Sequence, residues 1–206
     1  MSDWGLFYDA VAERPPHDTA VAALDAFAVP GFAVDLGCGD GRDTRLMLER
    51  GWRVLAIDAE PAAFERLSAR VPPEAHDRLE TQVAPFEDAR WPEADLVNAS
   101  FSLPFCAPDR FDEVWSRVRA GIAPGGRFAG QLFGEHDGWA GSKDLVFLPR
   151  ARVEALLAGL ELERFDEIDE DGTTALGDAK HWHVFHIVAR RPEGTWPGSD
   201  PGRVSH

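Results

Sequence analysis

The stretch Val34-Asp35-Leu36-Gly37-Cys38-Gly39-Asp40-Gly41 sets three glycines at alternate positions directly after a short apolar run. Glycines in this pattern let the chain turn tightly and let a ligand come close to backbone. Asp58 follows 17 residues after Gly41, at the end of a second apolar run, Arg53-Val54-Leu55-Ala56-Ile57. An acid placed there can accept hydrogen bonds from both hydroxyls of an adenosine ribose. The chemistry indicated is nucleoside binding.

The flanking residues narrow the ligand. A dinucleotide loop wants a third small residue after the second glycine, so that its helix packs close to the strand. That position, counted from Gly37, is Arg42, which argues against a nicotinamide-dependent oxidoreductase. Phosphates would meet Asp35 and Asp40 with no phosphate-loop lysine to offset them. Carboxylates suit a ligand that carries an amine and a sulfonium, and S-adenosylmethionine has both.

Positioning such a loop takes alternating strands and helices. Phe32 to Leu36 reads as a first strand and Arg42 to Arg50 as a helix closed by Gly51. Arg53 to Ile57 is a second strand, and Pro61 opens a helix with Phe64, Leu67 and Val71 on one face. Leu79 to Val83, Asp95 to Ala99 and Arg127 to Phe133 are the next strands. A helix carrying Phe111, Val114, Trp115, Val118 and Ile122 is expected to end at Pro124-Gly125-Gly126. After a helix over Pro149 to Ala158, two strands, Glu161 to Ile168 and His181 to Ala189, lack an intervening helix and predict an antiparallel hairpin turning at Asp171-Gly172. The expected fold is α/β: a doubly wound, Rossmann-like sheet of about seven strands, mostly parallel, with an antiparallel C-terminal hairpin. Residues 1–189 form one domain, in which residues 1–30 make a helical lid and residues 190–206, rich in Pro and Gly, a flexible tail.

In order, VDLGCGDGRDT, LAIDAEP, DLVNASFSLPF and IAPGGRF resemble the successive motifs of class I S-adenosylmethionine-dependent methyltransferases, over roughly Trp4 to Arg190. DLGCGDGRDT followed by ERGWRVLAID is most similar to the small tellurite-resistance-like members. The resemblance implies that Gly37, Cys38, Gly39 and Gly41 pass under the methionine and ribose portion. It implies that Asp35 holds the amino group and Asp58 the ribose. Glu87 or Asp88, with Phe86 beside the base, would contact adenine. Asn98 and Ala99 would lie near the methionine part, and Arg14 would pair with its carboxylate.

The acceptor is less constrained, because methyl transfer from a sulfonium needs mainly alignment and a dry site. Asn98-Ala99-Ser100-Phe101 lacks both prolines of the segment that accompanies methylation of nucleic-acid base amines. The formal net charge is −15, which disfavours partners held through phosphates or anionic lipid. A small-molecule acceptor remains, with no nucleic acid and no membrane partner. His136 is the candidate base, with Asp137 next in line, and Trp139 could close over the acceptor. Tyr8 and His17 of the lid could also face it. His181-Trp182-His183 reads as strand, with His186 on the other face and no third ligand evident, so no metal site is expected. No apolar run reaches the roughly 18 residues of a membrane span. The start MSDWG has no signal-peptide character, and two cysteines make no disulfide framework. A cytoplasmic enzyme is the expectation. The alternative is a cofactor-binding regulatory or scaffold protein without turnover.

Overall fold

The computed structural model describes residue 11 and residues 14–194. The strands are β1 (Phe32–Leu36), β2 (Arg53–Asp58), β3 (Leu79–Val83), β4 (Ala94–Ala99), β5 (Ile122–Gly134), β6 (Phe147–Leu148), β7 (Glu161–Thr173) and β8 (Ala179–Arg190). They form one sheet in the order β3-β2-β1-β4-β5-β8-β7, with the two-residue β6 beside β5. Strands β1 to β5 pair in parallel, and β8 runs antiparallel to both β5 and β7. The expected doubly wound sheet and antiparallel hairpin are therefore present.

The central strands are apolar because both of their faces are covered. In β1, Val34 and Leu36 enter a core shared with α4 (Phe111–Ala120) and α5 (Arg150–Leu156). Ala33 enters the opposite core, shared with α1 (Asp18–Asp25), α2 (Arg42–Glu49) and α3 (Pro61–Arg70). Met47 and Leu48 of α2 are fully buried, each stabilising by roughly 1.5–3 kcal/mol through removal from water. Pro61 stands in the first turn of α3, where its missing N–H costs nothing.

Several boundaries differ from the sequence reading. The Pro124-Gly125-Gly126 segment lies inside β5, and α4 stops at Ala120. Asp171 and Gly172 remain paired with His181 and Lys180, so the hairpin turns later, over residues 174–178. Cross-strand pairing there overrides the turn preference of Asp-Gly. Strand β8 includes Arg190, the first residue of the expected tail, and Arg191 is buried with its guanidinium donating to the Ile122 carbonyl. Of the N-terminal lid, α1 and the buried Val11 are described. Tyr8 and Trp196 lie outside the described residues. Edge strand β7 is mostly exposed and rich in Asp and Glu, a charge pattern that discourages further strand addition.

Candidate active site

Strand order reverses between β1 and β4, and a crevice opens beyond their C-terminal ends, as open parallel sheets require. A cavity of about 810 Å³ occupies it. One lobe is built on the glycine loop. Gly37, Gly39 and Gly41 all have positive φ, and Gly41 is the residue that enters α2. A Cβ on Gly37 would stand 2.5 Å from Ser102 Cβ, and one on Gly41 would collide with Leu67. Here glycine is a steric necessity as well as a conformational one.

The Asp58 carboxylate ties this loop to the next. Its Oδ2 accepts from Gly39 N–H at 2.9 Å and its Oδ1 from Glu60 N–H at 2.9 Å. Burial raises its pKa, and these backbone donors partly offset the rise. Asp58 lines the cavity, and each carboxylate oxygen can accept more than one hydrogen bond.

Asp35, also on the wall, is buried. Thr44 Oγ1 donates to its Oδ2 at 2.5 Å and Asn98 Nδ2 to its Oδ1 at 2.8 Å. Burial first, and then the neighbouring Asp43 carboxylate, raise its pKa. Asp43 titrates the other way. Burial opposes its charge, but the side-chain and backbone hydrogen bonds from His17 hold it down at about 2. His17 donates from its backbone and from Nδ1 to Asp43, each at 2.9 Å, while Arg42 donates to His17 Nε2 at 2.6 Å. Arg42 can only donate, and this assigns the His17 tautomer.

The second lobe is aromatic. Phe101, Phe105, Phe133, Trp139 and Trp182 line it, with His186 beside them. Trp139 is thus among the residues that line the cavity. Beneath the rings lies a buried ion pair, Lys180 Nζ to Asp137 Oδ2 at 2.7 Å. The ammonium also lies over Trp182 at 3.3 Å and Trp139 at 4.1 Å, where the ring quadrupoles attract it. Residues 173–176 and 178–179 of the β7–β8 hairpin tip also line the cavity, as do Arg14 and His17.

Of the residues singled out in the sequence, Arg14, Asp35, Gly37, Cys38, Gly39, Asp58 and Glu87 meet on the cavity. Gly41, Asp88, Asn98, Ala99 and His136 do not line it. Asn98 sits behind the wall, donating to both Asp35 and Asp43. Glu87 Oε1 accepts from Ala107 N–H at 2.9 Å and so steadies the loop after β4. Asp137 is committed to Lys180 and to the Trp139 N–H. The proposed base His136 is on the other side of the hairpin, bonded to Asp169 at 2.9 Å. Strand alternation explains this: Ile168, Glu170, Trp182, Val184 and His186 face the cavity, so Asp169 and His183 face away. Sequence reasoning missed Asp43, whose place in the first turn of α2, bonded to His17, depends on the tertiary fold.

Residues 33–126 match the family described as Methyltransferase domain. The chain is 34% identical over 136 residues to the carboxy-S-adenosyl-L-methionine synthase of Shewanella amazonensis, covering 59% of this chain and 55% of that protein. It is 30% identical over 138 residues to the trans-aconitate 2-methyltransferase of Paracidovorax citrulli, covering 64% and 51%. The chain spans about half the length of these curated relatives. In fold it is similar to TehB from Haemophilus influenzae, with a TM-score of 0.74 at 16% identity over 90% of this chain and 65% of that one. Over residues 33–126 the chain is thus similar to the methyltransferase domain family, and the glycine cradle with its acid partner lies inside the matched segment.

Proposed function

We propose that the chain binds S-adenosylmethionine against the glycine loop and transfers its methyl group to a small molecule held in the aromatic lobe. The observation that carries this reading is the continuity of the two lobes in one cavity. The residues fit the cofactor. Positive-φ glycines leave a cradle that side chains would fill, and two largely buried carboxylates await cationic or hydroxyl groups.

When bound, the cofactor supplies an electrophilic methyl group on a sulfonium. Asp58 would accept from the ribose hydroxyls, and Asp35 from the amino group. Phe86 and Glu87 would border the base, and Arg14 would meet the carboxylate. The aromatic walls would exclude water and align the acceptor, which is most of what an in-line displacement needs. Should the acceptor arrive protonated, His186 is the imidazole on that wall, and burial favours its neutral form. His136, placed on the opposite face of the hairpin, is not assigned this role.

A cavity of this volume suits a small acceptor. Relatives whose names specify trans-aconitate methylation and carboxy-S-adenosyl-L-methionine synthesis support that class. Isothermal titration with S-adenosylhomocysteine should show saturable binding, and Asp58→Ala should weaken it by about 1–3 kcal/mol through lost buried hydrogen bonds. Absence of heat from the unaltered chain would sink the proposal. Turnover is then assayed with thiol, selenide, tellurite, carboxylic and heteroaromatic acceptors. Binding without product across that panel would favour the regulatory reading.

A further inference from the structure

The β7–β8 hairpin has a second chemical face. Glu167, Asp169 and Asp171 alternate along β7, and His181 and His183 lie opposite Asp171 and Asp169 on β8. Because strand side chains alternate, these five share the face turned away from the cavity. His136, from the loop after β5, stacks its ring on His183 with 4.8 Å between centroids. Gly134 permits this approach, since a Cβ there would run into the His183 ring.

The donor atoms converge. One ligand atom from each of His136, Asp169 and His183 lies within 4.8 Å of the other two. Asp169 is already shared, bonding His136 Nδ1 at 2.9 Å and His181 Nε2 at 2.7 Å. His183 Nδ1 accepts from the His136 backbone N–H at 3.0 Å, so this nitrogen carries the lone pair. Its Nε2–H is left to donate to Glu167 Oε1 at 2.9 Å. Arg150 donates to the other Glu167 oxygen and fixes that carboxylate. An imidazole with one nitrogen offered as ligand and the other held by a carboxylate is the outer-shell arrangement of histidine metal sites. The set of two imidazoles and a carboxylate, with exposed His181 adjacent, suits a borderline divalent cation that retains water.

We propose that His136, Asp169 and His183 form a binding site for a divalent transition-metal ion of the zinc class, separate from the methyltransferase cavity. The ion would take the place of the proton between His136 Nδ1 and Asp169, and that proton would pass through solvent to Nε2, leaving the ring neutral with Nδ1 as the ligand. It would also replace the His136 N–H at His183 Nδ1 through a small shift of the loop after Gly134. Bridging that loop to both hairpin strands, the ion would fasten β7 and β8 to the end of β5. The third ligand that His181-Trp182-His183 lacks in the sequence is thus supplied by residues distant along the chain.

The test uses the full chain, stripped with EDTA, dialysed and titrated with Zn²⁺ by calorimetry at neutral pH. Co²⁺ serves as a visible-absorption probe of coordination. About one ion should bind per chain, and Co²⁺ should give d–d bands of a low-coordinate nitrogen and oxygen site. Asp169→Asn and His136→Gln should each weaken Zn²⁺ binding by ~10-fold or more. Glu80→Gln, an exposed acid on β3, should leave it unchanged. His136 is exposed, so its variant is expected to fold, and thermal melting checks this. Affinity of Asp169→Asn for S-adenosylhomocysteine should stay that of the unaltered chain, separating this proposal from the methyltransferase reading. No saturable Zn²⁺ binding, or equal binding by the Asp169 and His136 variants, would overturn it.

Discussion

At the scale of the residue, the cavity is governed by how carboxylates are partnered. Asp35 and Asp43 are both buried, yet they titrate in opposite directions. Of the two carboxylates, His17 hydrogen-bonds Asp43, so the negative charge settles there, and Asp35 feels both burial and that charge. The Asp35 pKa is pushed up to about 7. The folded chain therefore holds this proton more tightly than the unfolded one, and its contribution to stability is lost as pH rises through the folded value. A cationic amine beside Asp35 favours the ionised form, so binding releases a proton when the site is protonated. Affinity for S-adenosylhomocysteine should accordingly rise as pH rises toward and through neutrality. Calorimetry in buffers of different ionisation enthalpy should detect proton release near pH 6. Asp35→Asn should abolish that release.

At the scale of the element, Gln131 on β5 holds the loop after β4. Its Oε1 accepts from Phe101 N–H at 2.9 Å, and its Nε2 donates to Thr19 Oγ1 of α1 at 2.8 Å. Phe101 has φ of 48°, a conformation uncommon for a side chain of its size. Its ring nevertheless touches His17, Phe133, Trp182 and His186. The strained backbone aims the ring into the aromatic lobe, and Gln131 maintains it. Gln131→Leu should destabilise the fold by about 1–3 kcal/mol, because two buried groups lose their partner. Urea unfolding would measure the loss, and cofactor affinity should suffer less than acceptor turnover. The hairpin acts at this scale too: Ile168, Glu170, Trp182, Val184 and His186 wall the cavity, while Glu167, Asp169, Asp171, His181 and His183 form the histidine and carboxylate cluster on the other face.

At the scale of the whole molecule, the cavity in which the cofactor is proposed to bind joins parts that are far apart in the chain: Arg14 before α1, the loops after β1 and β2, and the segment after β3. A ligand that binds only when these are assembled stabilises the native state by mass action. At a concentration of 100 times Kd the gain is about 2.7 kcal/mol. For a chain of this length that is a rise in Tm of roughly 5–10 °C. Differential scanning fluorimetry with S-adenosylhomocysteine checks it, and an unmoved Tm at saturation would count against assembly of the site from these segments. Among the described residues, no helix is long and apolar enough to cross a membrane.

Strand-helix alternation, glycine spacing and the Asp58 position were legible in the sequence because they are local. Apolar runs in β1 and β2, positive-φ glycines and an acid at a strand end each follow from a few adjacent residues. Those features determined the fold class and the cofactor lobe. Contacts that cross the sheet were not legible. Only packing could show that Asn98 backs Asp35, that Asp137 neutralises a buried Lys180, and that His17 takes charge of Asp43. Strand alternation by itself set His181 and His183 on one face and His186 on the other. Which face meets the cavity depends on β8 lying between β5 and β7, a pairing that no short stretch of sequence encodes. That pairing turned His136 away from the acceptor and toward Asp169 and His183, because side-chain direction along a strand becomes position only when the strand has its neighbours.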